Sequence, residues 1–368
     1  MIQSQVKLKL NKQQEEALER YLFHLYKIWN WAIRKIELDG EDHIFHKKYD
    51  LCPLLNGVSK KLDLPSRSIQ GMLEMAWTAW DRCYKKISKK PKLKGMRNKL
   101  SSIPFPDPIT YPTNNRIKLP KLGSLKFHKQ YIPEGEIKCG RVVKRSSGWY
   151  LCFFIDAMPK GIQSKRNRVV GIDPGFKSNL TTTDKDLDDL IAKDKKKRFE
   201  EVKARLAQAQ KGKDKKLTAR LFERVKNRRK NDNHKLSRKL VEECREIYFS
   251  KDSIQKIAKK PKPKKKKTGK YKRSIRFGKS VQEAGHYQLR QMLSYKCITS
   301  GRKYKEVDSK YSTMTCSNCL ARNGPTGKAC LSVRMWECTG CGSLHDRDRN
   351  AAINTLSSGL GMSLERVA

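Results

Sequence analysis

Acidic residues are scarce in this chain. Asp and Glu together number 37 against 83 Lys and Arg, so the formal net charge is +46. That imbalance opposes compaction unless a polyanion neutralises it. Long apolar runs are missing too. No stretch is long enough to span a bilayer, and neither a lipidation signal nor a signal peptide is legible. The expectation is a nucleic-acid partner held through phosphates, and no membrane partner. A disulfide framework is lacking as well. There are 11 Cys, an odd number, and seven of them (Cys52, Cys83, Cys139, Cys152, Cys244, Cys297, Cys330) stand singly. This excludes the stapled architecture of small secreted domains and points to a reducing compartment.

Hydrophobic residues make up 37% of the chain, enough for two or three packed cores. Residues 1–9 alternate and predict a strand. From Asn11 to about Glu37 the apolar residues Leu18, Leu22, Leu25, Ile28, Trp29 and Ile33 recur at helical spacing, with Asn11 as cap and Gln14 three residues on. A second helix is predicted over about Ser66–Ile87. Its Met72, Met75, Ala76, Trp77 and Trp80 read as core, not as base-stacking platforms. Residues 88–100 are Lys-rich and turn-like. Short runs broken by Pro and Gly between about Ile103 and Asp156 predict a small antiparallel barrel or sheet, which strand 1–9 could complete with the helices as an insertion.

The segment GIQSKRNR reads as a basic linker. After it, VVGID predicts a strand ending at Asp173 before a Pro-Gly turn and a second strand. Residues 185–245 read as charged helices suited to phosphate contact. Glu246–Ser250 is a buried-type strand, Lys259–Arg273 a basic low-complexity tract, Ser280–Gly301 a helix and Tyr304–Ser309 another strand.

The strongest local signal is C-x2-C-x18-C-x2-C, formed by Cys316, Cys319, Cys338 and Cys341. Two CxxC turns place four thiolates around one structural Zn²⁺, with no open position for chemistry. Cys330 lies between the pairs without pair spacing. Behind this ribbon, HDRDRNAAINTL carries Asp346 and Asp348 at a helix start. Phosphodiester hydrolysis needs two or three carboxylates converging on divalent metals about 4 Å apart. Asp173 and this pair are candidates from distant parts of the chain. A strand-ending Asp before Pro-Gly is also an ordinary turn former.

GIDPG around Asp173, HKLSRKLV at His234–Val241, EVDSKYSTMTCSNC at Glu306–Cys319 and HDRDRNAAIN at His345–Asn354 together resemble the TnpB family, in order and spacing. These are transposon-encoded, RNA-guided DNA endonucleases similar to compact type V CRISPR nucleases. The resemblance covers residues 166–356 well and the N-terminal part more weakly. It implies an α/β plus all-β chain. An RNase H-like (RuvC-type) nuclease domain would occupy 166–310 and 343–368, with a helical insertion at 185–245 and the zinc ribbon at 311–342. A wedge-like β-barrel would occupy 1–9 and 96–165, with a helical recognition domain inserted at 10–95. It further implies a two-metal Mg²⁺ site, a guide RNA from the transposon end, a double-stranded DNA target read beside a short flanking motif, and a monomer within a ribonucleoprotein. The compartment would be the prokaryotic cytoplasm and nucleoid, or a nucleus in a eukaryote.

By this resemblance the first catalytic carboxylate maps to Asp173 and the third to Asp348, with Asp346 as the alternative. The second departs from the pattern. The family's Glu-Asp-Leu ends the middle strand, whereas here EIYFSKDS places Ser250 at the glutamate position. Some TnpB proteins and their Fanzor relatives carry this glutamate on a later helix, and Glu283 is placed for that role. Asp252 is a weaker candidate. Otherwise the chain is a nuclease-dead derivative that binds DNA without cutting. For His345 the resemblance leaves either contact with the scissile strand or a structural place beside the ribbon.

Overall fold

The computed structural model describes residues 2–95, 99–157, 160–175, 180–192, 198–251, 284–308, 310–326 and 329–361. Two compact units divide at Pro159 and Lys160.

In the first unit, β1 (Ile2–Lys9) follows the sequence alternation, with Val6 and Leu8 buried. The helix α1 (Lys12–Glu41) starts at a capping box. Asn11 accepts from the Gln14 N–H at 2.8 Å, and Gln14 accepts from the Asn11 N–H at 3.3 Å. This helix runs four residues past the predicted end and stops at a turn around Asp42. A short helix, α2 (Val58–Lys61), and α3 (Ser66–Tyr84) follow. As expected, Met72, Ala76 and Trp80 are buried; Trp77 is only half-buried and ties its indole N–H to the His46 carbonyl at 2.8 Å.

Five further strands complete the unit: β2 (Ser102–Phe105), β3 (Arg116–Leu119), β4 (Gly123–Phe127), β5 (Glu136–Arg145) and β6 (Gly148–Asp156). The antiparallel order is β2-β5-β6-β1-β4-β3. β1 therefore sits in the middle of a sheet whose other strands come about 100 residues later in the chain. It can do so because Ile2–Lys7 pair with β6, while Leu8 and Lys9 pair with β4. Among the described residues β2 and β3 remain edges, so the pairing is that of a curled sheet rather than a closed barrel. One continuous core joins this sheet to α1 and α3.

The second unit is built on β7 (Arg168–Asp173), β8 (Thr181–Thr182), β9 (Cys244–Lys251) and β10 (Lys303–Asp308), in the order β10-β9-β7-β8. β7, β9 and β10 are parallel, and β8 is antiparallel to β7. The parallel strands need helical crossovers. These include α4 (Lys185–Ala192), α5 (Arg198–Lys211), α6 (Lys215–Glu243) and α7 (His286–Thr299). The helical pair α5–α6 is thus partly core, since Leu240 and Val241 at the end of α6 pack with Ile172, Ile247, Phe249, Leu289 and Leu293. The predicted helix 280–301 is interrupted at Gly285, which has φ +64 and lies against Arg229 and Asn233 of α6. The small hairpin β11 (Met335–Glu337) and β12 (Leu344–Asp346) leads into α8 (Arg347–Gly359), which covers the opposite face of the sheet. Among the described residues, no helix is long and apolar enough to cross a membrane.

Candidate metal centres and the sheet edge

The four ribbon cysteines converge. One sulfur from each of Cys316, Cys319, Cys338 and Cys341 lies within 4.8 Å of all the others. The Cys316–Cys341 and Cys319–Cys338 sulfurs are 3.7 and 3.5 Å apart. A tetrahedron with Zn–S bonds of about 2.3 Å has edges of about 3.8 Å, so the group fits Zn²⁺. Cys330 is outside the cluster.

The two CxxC turns share one backbone design. In each, the fourth residue after the first Cys has positive φ, Leu320 at +66 and Gly342 at +69. Its N–H donates to the carbonyl of that first Cys, at 3.0 Å for Leu320 and 2.8 Å for Gly342. Burial opposes ionisation of Cys338, but hydrogen bonds, among them the Gly340 N–H, bring its thiol down to about 6. The hydroxyl and N–H of Ser343 likewise lower Cys341. Cys338 and Cys341 thus favour the thiolate that a metal takes, whereas burial raises Cys316, and Cys319, against the Ala321 N–H, is pushed up to about 12 by the neighbouring ribbon thiols. His345 belongs to this ribbon: its Nε2 lies 3.0 Å from the Cys316 sulfur and its ring packs on Trp336, 4.8 Å between centroids.

Asp173 stands at the end of β7, on the sheet that α8 covers. Gly171 on β7 faces α8, because a Cβ there would sit 2.2 Å from the Ala352 carbonyl oxygen and 2.8 Å from Leu356. Side chains alternate along a strand, so half-buried Asp173, two residues on, leaves by the same face. Asp348 stands in the first turn of α8, one turn before Ala352. Asp346 is exposed and caps α8, accepting from the Arg349 N–H at 2.9 Å.

Two ion pairs that the sequence did not reveal fix this helix start. Arg334 holds Asp348 at 2.7 Å, and Arg349 holds Asp188 of α4 at 2.9 Å. Burial pushes the Asp188 carboxyl up, against hydrogen bonds from Thr182 and the Arg349 charge.

Ser250 follows Phe249, the β9 partner of Ile172, just as Asp173 follows Ile172, so Ser250, the last residue but one of β9, stands on the strand next to the end of β7. It is fully buried, and its hydroxyl has no hydrogen-bond partner among the described residues. Glu283 and Asp252 lie outside the described residues.

The family described as Cas12f1-like, TNB domain, matches residues 286–355, the stretch from α7 through the ribbon into α8. A putative RNA-guided DNA endonuclease of Streptomyces pristinaespiralis is 27% identical over 319 residues, covering 82% of this chain and 73% of that protein. The putative RNA-guided DNA endonuclease InsQ of Escherichia coli K12 is 24% identical, covering 81% and 75%. TnpB-like proteins of Acanthamoeba polyphaga mimivirus are 27% identical over 226 residues, 57% of this chain and 41% of the relative. These matches support the resemblance to the TnpB family that the motifs carry. A solved Cas12f1–sgRNA–target DNA complex shares the fold of this chain, with TM-score 0.51 at 16% identity over 94% of this chain and 83% of the Cas12f1 chain.

Proposed function

We propose that the chain is an RNA-guided, divalent-metal-dependent DNA endonuclease of a transposon. A guide RNA from the transposon end, with a short target-adjacent motif, would direct it as a monomeric ribonucleoprotein to cut double-stranded DNA. The observation that supports this reading is the close packing of β7 on α8 through Gly171, the two elements that carry Asp173 and Asp348, in a chain of net charge +46. The relatives named as RNA-guided DNA endonucleases support it.

Asp173 and Asp348 offer hard carboxylate oxygens, the donor set suited to Mg²⁺. Asp173 and Asp348 would hold such ions, whose chemistry there would be to activate a water and stabilise the leaving oxygen of the phosphodiester. Asp348 is preferred over Asp346, whose carboxylate caps the helix.

Glu283 is the proposed third carboxylate. Arg290 of α7 lies 3.5 Å from Glu306, near the C-terminal end of β10, and α7 then runs back toward the start of that strand. The chain therefore enters α7 at the sheet edge where β7 ends with Asp173, and Glu283 immediately precedes Ala284. The basic surface of the N-terminal unit would hold the RNA and its heteroduplex through backbone geometry.

One observation favours a second reading, an RNA-guided repressor that binds without cutting: uncharged Ser250 stands on β9 next to the end of β7 at Asp173. Sequencing the RNA that co-purifies, followed by plasmid cleavage on a matched target, tests both. The proposal expects a bound RNA with a variable guide segment, and linear product with Mg²⁺ but not with chelator. Target binding without product selects the repressor, and an active preparation free of RNA refutes guidance.

A further inference from the structure

The distal end of the α1–α3 pair carries rings that the core does not use. Trp80 is buried and fixed by its indole N–H, which donates to the Ile33 carbonyl at 3.1 Å. Tyr84, one turn further along α3, stacks on Trp80 with centroids 5.5 Å apart and planes at 26°. Phe45, from the loop after α1, meets Tyr84 edge-on at 6.0 Å and 81°. Gly40 makes room for this stack, since a Cβ there would lie 3.1 Å from the Tyr84 hydroxyl. Phe45 is nonetheless 65% exposed and Tyr84 48% exposed, and Ile44 and Ile87 beside them are exposed too. Large rings held rigid yet left open to water mark a binding surface.

The chemistry around the rings selects the occupant. Exposed Lys47 stands two residues from Phe45, and exposed Lys86 and Lys89 follow Tyr84. Among the described residues no ion pair is formed by these three ammonium groups, although the Lys47 N–H donates to the Asp50 carboxylate at 2.7 Å and Glu41 and Asp42 are exposed nearby. Two rings at right angles form a corner that fits the flat face of one base and its edge, with ammonium groups at phosphate reach. We infer that Phe45 and Tyr84 stack an unpaired nucleobase of a single-stranded nucleic acid, with the flanking lysines on its phosphates. This rests on the N-terminal unit and the net charge alone, and needs no cleavage.

The test uses the full chain stripped of RNA in high salt, and single-stranded RNA and DNA oligonucleotides carrying one 2-aminopurine, without divalent metal. Binding of the wild-type chain should quench the probe. Removing a base-stacking ring weakens binding on the order of 5- to 100-fold. Phe45→Leu/Tyr84→Leu should fall in that range and lose the quench while keeping apolar bulk and the wild-type melting temperature. Lys47→Ala/Lys89→Ala should weaken binding and flatten its salt dependence but keep the quench at saturation. Unchanged affinity and quench in the Leu variant would overturn the inference. So would a Leu variant that loses only binding to anionic vesicles or only self-association.

Discussion

Gly171→Ala should lift α8 from the sheet and, with it, separate the two aspartates of the proposed site. The added methyl would stand 2.2 Å from the Ala352 carbonyl oxygen, about 1 Å inside an ordinary contact, and 2.8 Å from the Leu356 backbone nitrogen. Both partners include helix backbone, so no rotamer change relieves the clash, and α8 has to move by about 1 Å. Overpacking of this kind costs about 1–3 kcal/mol, and the upper end applies because backbone meets backbone. A displacement of about 1 Å in a reacting constellation costs on the order of 100-fold in rate.

Hydrogen exchange of the α8 amides reads the stability of the C-terminal unit, and guided cleavage reads the rate. Gly95→Ala is the control, because nothing lies within 4 Å of a Cβ there. The packing argument is refuted if Gly171→Ala matches that control within about 0.5 kcal/mol and cuts at the wild-type rate.

Zinc removal by chelation, or Cys319→Ser, should unfold the ribbon and loosen α8, seen as loss of one bound zinc together with loss of Trp336–His345 packing by fluorescence. Gly342→Val should cost about 1–2 kcal/mol in ribbon stability purely through its positive φ, since nothing crowds a Cβ there, whereas Leu320→Gly should be tolerated at the equivalent turn; metal-dependent melting checks both. Burial, with Lys296 and Lys230 nearby, brings His234 down to about 4. The unfolded chain therefore binds more protons than the folded one between about 6.5 and 4. His234 contributes its stability fully above that window and loses it as pH falls through it, so His234→Gln should flatten the acid limb of a stability–pH curve, and an unchanged limb would discount the residue.

Features coded by short spacing were legible in the sequence. The cysteine pairs carry their geometry in CxxC turns, the Asn11–Gln14 box needs only residues three apart, and β1 shows its buried face by alternation. Features set by where distant backbones meet were not. Gly171 reads as one glycine in VVGID, and its purpose appears only once Ala352 lies against it. Arg349 and Asp188 are 161 residues apart, and no local pattern pairs them. The aromatic stripe of α3 reads as core, which holds for Trp80, but the same helical spacing carries Tyr84 past the end of the core into solvent. The break at Gly285 was hidden because glycine inside an apolar helical pattern gives no sign of its φ.

The central claim is that carboxylates from separate elements cut DNA at this sheet edge. Guided plasmid cleavage by the purified ribonucleoprotein in Mg²⁺, run side by side for the wild type, Asp173→Ala, Asp348→Ala and Glu283→Ala, tests it most directly. Product is expected from the wild type and none above background from any of the three variants, with guide and target binding retained. Wild-type cleavage that survives Asp173→Ala or Asp348→Ala would contradict the site, and survival of Glu283→Ala alone would remove that residue from it.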